Sequence, residues 1–201
     1  MVGGNSMIIT DKKIRQLAKE NELIVPFDEK KLQSESYDVT IGDQIVTFSK
    51  EVHCLDIANQ SEIDRIYVDE NIEKDGYILS PKEYVLVSLE EKIKLPDNLS
   101  AHLRPKTRYT RLGLVVSAQH CNSSYAGHLR IGLFNATEYP IRIRPGFTIA
   151  QLVFEELDGI PSEDKLYRNK QNAHYQNENG KFRGAKFDDA LLDKVVEEMF
   201  E

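Results

Sequence analysis

Gly76-Tyr-Ile-Leu79-Ser-Pro-Lys-Glu83-Tyr84-Val-Leu-Val-Ser-Leu89 is the stretch whose reading decides the fold class. Two short runs of aromatic and aliphatic residues stand on either side of a Ser-Pro-Lys-Glu interruption, and such runs between breakers form strands. The same signal extends outward in both directions. Residues 37–42 and 44–48 precede it and residues 93–95 follow, each bounded by Gly, Pro, Asp or Asn, and more strands are read at 113–118, 128–135, 139–143 and 148–157. Many short strands about ten residues apart predict a mainly β protein, a sandwich, jelly roll or distorted β-barrel.

The flanks read differently. Thr10-Asp11 followed by Ile14, Leu17 and Ala18 predicts a short N-capped amphipathic helix to about Asn21. Residues 52–73 form an acidic stretch without clear period, read as an irregular surface insertion. The barrel domain is assigned to residues 7–161. Residues 162–187 are polar, with Tyr167, Tyr175, Phe182 and Phe187 spaced through them, and predict an arm with little core of its own. Residues 188–201 carry helical apolar spacing after an acidic first turn and predict a terminal amphipathic helix. Residues 1–6 are set aside from the fold reading.

With 201 residues, 40% hydrophobic and 29% charged, one core is affordable, and the formal net charge is −7. That sign argues against sequence-blind nucleic-acid binding, which needs a broad basic face. Against it stands one local reversal: Arg104, Lys106, Arg108 and Arg111 put four cations into eight residues, with Thr107 and Thr110 between them. Charge combined with short hydroxyl donors suits phosphate oxygens, so the run predicts a site for a small phosphorylated molecule. A solvated basic turn or a subunit contact, for instance with the acidic C-terminal helix, is the alternative. Cys54 and Cys121 are far apart and form no CxxC pair, which excludes a disulfide framework or a cysteine-rich zinc site and suits a reducing cytoplasm. No apolar run reaches the roughly 18 residues of a membrane span. The zinc deaminase signature, the P-loop and the GxGxxG fingerprint are all absent.

Several segments, taken in order, resemble the deoxycytidine triphosphate deaminase and deoxyuridine triphosphatase superfamily, with the deaminase branch closer. They are Leu32-Gln-Ser-Glu-Ser-Tyr37-Asp38-Val-Thr-Ile-Gly42, Ile78-Leu-Ser-Pro81-Lys-Glu83-Tyr84, Leu95-Pro96-Asp-Asn-Leu99 and Arg111-Leu-Gly-Leu114. Tyr125-Ala-Gly127, Leu133-Phe-Asn135, Arg144-Pro-Gly146, Ile149-Ala-Gln151-Leu-Val-Phe154 and Ala173-His174-Tyr175-Gln176 with Gly180 follow. The resemblance covers roughly residues 8 to 185. It implies a distorted barrel of the dUTPase-like β-clip type, assembled as a homotrimer with nucleotide sites between subunits. A deoxyribonucleoside triphosphate carrying Mg²⁺ is the implied ligand, while the charge balance, the cysteines and the missing apolar run already argue against nucleic acid, zinc and membrane.

The same resemblance places Lys106, Thr107, Arg108, Arg111 and Gln151 on the phosphates. It places Tyr125 at the base and sugar, and His174, Tyr175 and Gln176 in an arm that closes over the nucleotide. It also exposes departures. Lys106 stands where the family has Arg, keeping charge but losing the fork, and Arg108 stands where it has Ser. The deaminases' general-base Glu, three residues before Asn135, is Gly132 here. The triphosphatases' Asp, before Tyr125-Ala-Gly127, is Asn122. His120 is left as the candidate base, beside Asn122. Two readings stay open: an enzyme acting on dCTP or dUTP with altered chemistry, or a catalytically silent nucleotide-binding or regulatory homologue.

Overall fold

The computed structural model describes residues 7–52, 54–187 and 197. The expected terminal helix at 188–201 lies outside the described residues except for position 197. Chain order is β1 (Met7–Ile8), α1 (Asp11–Asn21), β2 (Ile24–Val25), β3 (Tyr37–Phe48), α2 (Gln60–Ile63), β4 (Tyr67–Asn71), β5 (Tyr77–Leu79) and β6 (Tyr84–Lys94). Then come β7 (Leu99–Pro105), α3 (Thr107–Leu112), β8 (Leu114–Val116), β9 (Gln119–Cys121), β10 (Ala126–Asn135), β11 (Ile141–Ile143) and β12 (Thr148–Glu156).

The opening stretch splits as its punctuation dictates. Tyr77–Leu79 pairs with β11, while Tyr84 onward enters the main sheet. Between them Glu83 accepts from the Ser80 amide at 2.6 Å and from the Tyr77 hydroxyl at 2.5 Å, so this carboxylate organises the turn backbone. The main sheet runs β8-β10-β6-β3-β12-β7-β9, with β1 on β12, β2 on β6 and β4 on β3. Its pairings are antiparallel, and register shifts fall between Ile41 and Ile45, between His128 and Arg130 and between Thr148 and Ala150. Such irregularities bend strands and raise their twist, which lets a sheet of this size curl into a distorted barrel. Val39, Ile41, Val87, Leu89, Leu152 and Phe154 are buried inside the curl.

α1 packs Ile14 and Ala18 inward after Thr10, whose backbone is extended as a cap requires but whose side chain makes no capping bond. Three expectations are corrected. The 52–73 segment is not wholly irregular: it holds α2, capped by Asn59 on the Glu62 amide, and edge strand β4 on β3. The expected strands at 37–42 and 44–48 are one, because Gly42 and Asp43 continue it. Leu99–Pro105, where the sequence marks only the end of a motif and the start of the basic run, is a full strand between β12 and β9. Among the described residues no helix is long and apolar enough to cross a membrane.

Candidate active site

The basic run is a strand end and a helix, not an open turn. β7 stops at Pro105, Lys106 takes the N-cap position in extended conformation, and Thr107–Leu112 winds as α3. Gly113 ends it at φ 88°, a left-handed cap that glycine adopts without steric cost. Tyr109 anchors the helix through its hydroxyl, which donates to the Thr148 carbonyl at 2.6 Å. Thr107, Arg108 and Arg111 are left exposed, with the Arg108 guanidinium 6.0 Å from the Tyr109 ring centroid. Gln151 lies in register between Arg104 on β7 and Asp38 on β3. Lys106 reaches across to Asp38, Nζ to Oδ1 2.7 Å. Lys106, Asp38, Gln151 and Arg104 thus share one patch of sheet surface.

A second set of residues converges elsewhere. A cavity of about 760 Å³ is bounded by β6, β9 and β10 on one side and by the chain after Tyr167 on the other. His120, Asn122, Tyr125 and Tyr175 all line it, whereas Lys106, Thr107, Arg108, Arg111 and Gln151 do not. Aromatic walls dominate: Phe48, Tyr67, Tyr84, Tyr125, Tyr167 and Phe182. Tyr125 packs edge-on against Tyr167 at 5.7 Å and Phe182 edge-on against Tyr67 at 5.0 Å, so the C-terminal segment is held by ring contacts. Gln176 fixes the same segment by accepting from the Ala126 amide at 3.1 Å and donating to the Ser124 carbonyl at 3.0 Å. Gln176 therefore clamps backbone outside the cavity, and His174 packs on the Tyr175 ring at 6.4 Å.

Two features, one behind the cavity wall at Tyr84 and one in the wall itself, carry its chemistry. The first is Gly132 on β10, paired opposite Leu86 of β6. Its diagonal neighbour Tyr84 lays its ring over the bare backbone, as aromatics do across a strand pair. A Cβ at 132 would stand 2.7 Å from the Tyr84 ring carbons Cε2 and Cζ, and closer still to its hydroxyl. The second is Arg130, only 9% exposed, with Glu178 from the C-terminal segment at 3%. Arg130 Nη2 donates to Gln44 Oε1 at 2.5 Å and to the Gly180 carbonyl at 3.0 Å. Its Nε and Nη1 are buried and find no acceptor among the described residues. Burying a donor unpaired costs about 1–3 kcal/mol, and more on a charged group.

A family model described as dCTP deaminase-like matches residues 8–157. The chain belongs to the dCTP deaminase-like family. It is 32% identical over 179 residues to the dUMP-forming dCTP deaminase of Persephonella marina, covering 87% of this chain and 94% of that one. It is 36% identical over 158 residues to the dUMP-forming dCTP deaminase of a Hydrogenobaculum species, covering 78% and 86%. The crystal structure of 2'-deoxycytidine 5'-triphosphate deaminase from Agrobacterium tumefaciens superposes with a TM-score of 0.61 at 21% identity, over 75% of this chain and 48% of that one, a likeness of fold.

His120 is held below its ordinary 6.5, first by burial and then by His102, whose ring centroid is 4.9 Å away. Its imidazole is therefore neutral at pH 7 and able to accept a proton. His102 in turn contacts Glu155, Nε2 to Oε2 3.3 Å. Glu178 is pushed above its ordinary 4.5 by burial, only partly offset by the Arg183 amide, which donates to it at 2.8 Å, and by Arg130. A carboxyl raised on folding contributes stability that is full below about pH 4.5 and is lost as pH climbs through the folded value. The melting temperature should therefore fall more steeply above pH 4.5 in the native chain than in Glu178→Gln, as read by calorimetry across pH 4–8.

Arg130 and Glu178 are the cavity residues that sequence reasoning missed in this dCTP deaminase-like chain. Arg130 sits at an ordinary alternating position of a strand, and Glu178 lies in a polar segment. A parallel bridge between Gly127 and Glu178, with the His128 amide donating to the Glu178 carbonyl at 2.9 Å, brings them together.

Proposed function

We propose that this dCTP deaminase-like protein binds dCTP or dUTP as a magnesium complex and acts on it in the cavity beneath the C-terminal arm. The observation that carries the reading is the convergence of His120, Asn122, Tyr125 and Tyr175 on one aromatic cavity with room for a base and sugar. Lys106, Thr107, Arg108, Arg111 and Gln151 are the phosphate ligands in this reading. Since none of them lines the same chain's cavity, a homotrimer would supply them from a neighbouring subunit. In this reading magnesium arrives on the triphosphate. Neutral His120 takes a proton from the attacking water, and Asn122 orients the sugar by hydrogen bonds without acting as a base. Two free cysteines, one exposed, suit a reducing cytoplasm.

A second reading, binding without turnover, is favoured by one observation: the general-base position is Gly132, closed by Tyr84. Both readings are tested together by incubating the full chain with each deoxyribonucleoside triphosphate and magnesium, with calorimetry alongside product separation. Ammonia, pyrophosphate or a monophosphate from dCTP or dUTP supports the enzyme. Binding without product supports the silent homologue. Absence of binding by any triphosphate overturns both.

A further inference from the structure

Resting on the nucleotide-binding reading above, we infer that Arg130 and Glu178 form a base-reading pair that accepts a ring presenting a carbonyl oxygen beside a ring N–H, as uracil, thymine and guanine do, and rejects cytosine. The argument begins with position. Arg130 enters from β10, and its Nη2 is spent on Gln44 and Gly180, which fixes the guanidinium in place. Its Nε and Nη1 remain buried donors without acceptors among the described residues. The nearest carboxylate oxygen, Glu178 Oε1, is 3.9 Å from Nε, too far for a hydrogen bond. Phe182 stands against the guanidinium at 5.8 Å, so the group is walled by an aromatic face as well as buried.

The chemistry follows from the inventory of these two groups. A guanidinium only donates and never titrates away its protons, and a carboxylate in its ionised form, which Arg130 and the Arg183 amide favour against burial here, only accepts. Side by side on one wall, they ask for a ligand edge with an acceptor next to a donor. Uracil meets both demands, its C4 carbonyl facing Arg130 and its N3–H facing Glu178. Guanine offers the same order at O6 and N1. Cytosine inverts it: its amino group faces a donor and its unprotonated N3 faces an acceptor. Each mismatch leaves a buried polar group of the protein unpaired, which is how a site built to hydrogen-bond rejects a close analogue. The aromatic walls at Tyr84 and Tyr125 hold the ring faces of any base equally, so they contribute affinity without choosing.

The test is calorimetric binding of the α,β-imido triphosphates of deoxyuridine, thymidine, deoxyguanosine and deoxycytidine, with magnesium, to the full-length chain. Recovered ligand is checked by chromatography for conversion. The native protein should bind the uracil ligand about 100-fold more tightly than the cytosine ligand, with thymine and guanine on the uracil side. Arg130→Gln and Glu178→Gln should each narrow that gap to about tenfold or less, because an amide can turn either its donor or its acceptor toward the base. Cytosine binding as tightly as uracil in the native chain overturns the inference even if neither variant folds. So does a folded variant that weakens both ligands equally. Binding without base preference sinks this pair alone, whereas binding of none of the four sinks the nucleotide reading with it.

Discussion

Gly132→Glu is expected to destabilise the protein by about 3 kcal/mol or more, lowering the melting temperature by roughly 6–12 °C. The new Cβ would lie 2.7 Å from two ring carbons of Tyr84, inside any observed contact distance, so ring or strand must move. Beyond the Cβ, an ionised carboxylate would enter a wall where Arg130 is already fixed by Gln44 and Gly180. Tyr84 is partly exposed but packs on Phe48 at 5.6 Å, so swinging aside gives up that contact. The paired change Gly132→Glu with Tyr84→Ala should recover most of the loss, since removing the ring opens the space the carboxylate needs. Scanning calorimetry of the two single variants and the pair decides it. Additive losses in the pair would show that Tyr84 is not what closes position 132.

Neutralising the basic helix has the largest expected effect on binding. Lys106→Gln with Arg111→Ala should weaken deoxynucleoside triphosphate affinity by about 10²- to 10⁴-fold, two charge-assisted hydrogen bonds at about 1.5–3 kcal/mol each. Arg111→Ala alone is the cleaner half of the test because Arg111 is exposed and its removal leaves no buried partner. Lys106→Gln also unpairs Asp38, so its melting temperature is measured beside its affinity. The native protein's affinity should fall with rising salt, and the double variant's should fall less steeply. Calorimetry at two salt concentrations reads both. Unchanged affinity would return the run to a solvated basic helix.

The strand pattern was legible because alternation survives in sequence wherever one face of a strand is buried. β6 and β10 stood out for that reason. β7 carries the same alternation, Ser100, His102 and Arg104 against Leu99, Ala101 and Leu103, but it is short and the proline at its end and the cations that follow read as a breaker and a basic run. β4 is an acidic edge strand whose residues are mostly exposed, so no apolar signal marks it. The site divides along the same line. Local features, the cation run and the Tyr125-Ala-Gly127 turn, could be read, and so could the glycine at 132. The Arg130–Glu178 wall could not, because its members are brought together by a backbone bridge across about fifty residues of chain. Nothing local distinguishes an outward strand arginine from one buried under a returning arm.

The 2.7 Å contact between Lys106 and Asp38 gives the basic helix an entry requirement. A ligand recruiting that lysine must offer it more than the resident carboxylate does. A lone weak anion brings one charge and exchanges one partner for an equal one. A triphosphate brings several, and on the proposed reading would displace Asp38 while also engaging Arg111 and Arg108. On the proposed reading the pair would work as a valence filter, leaving the helix indifferent to the small anions that crowd any cell and responsive to a polyphosphate tail.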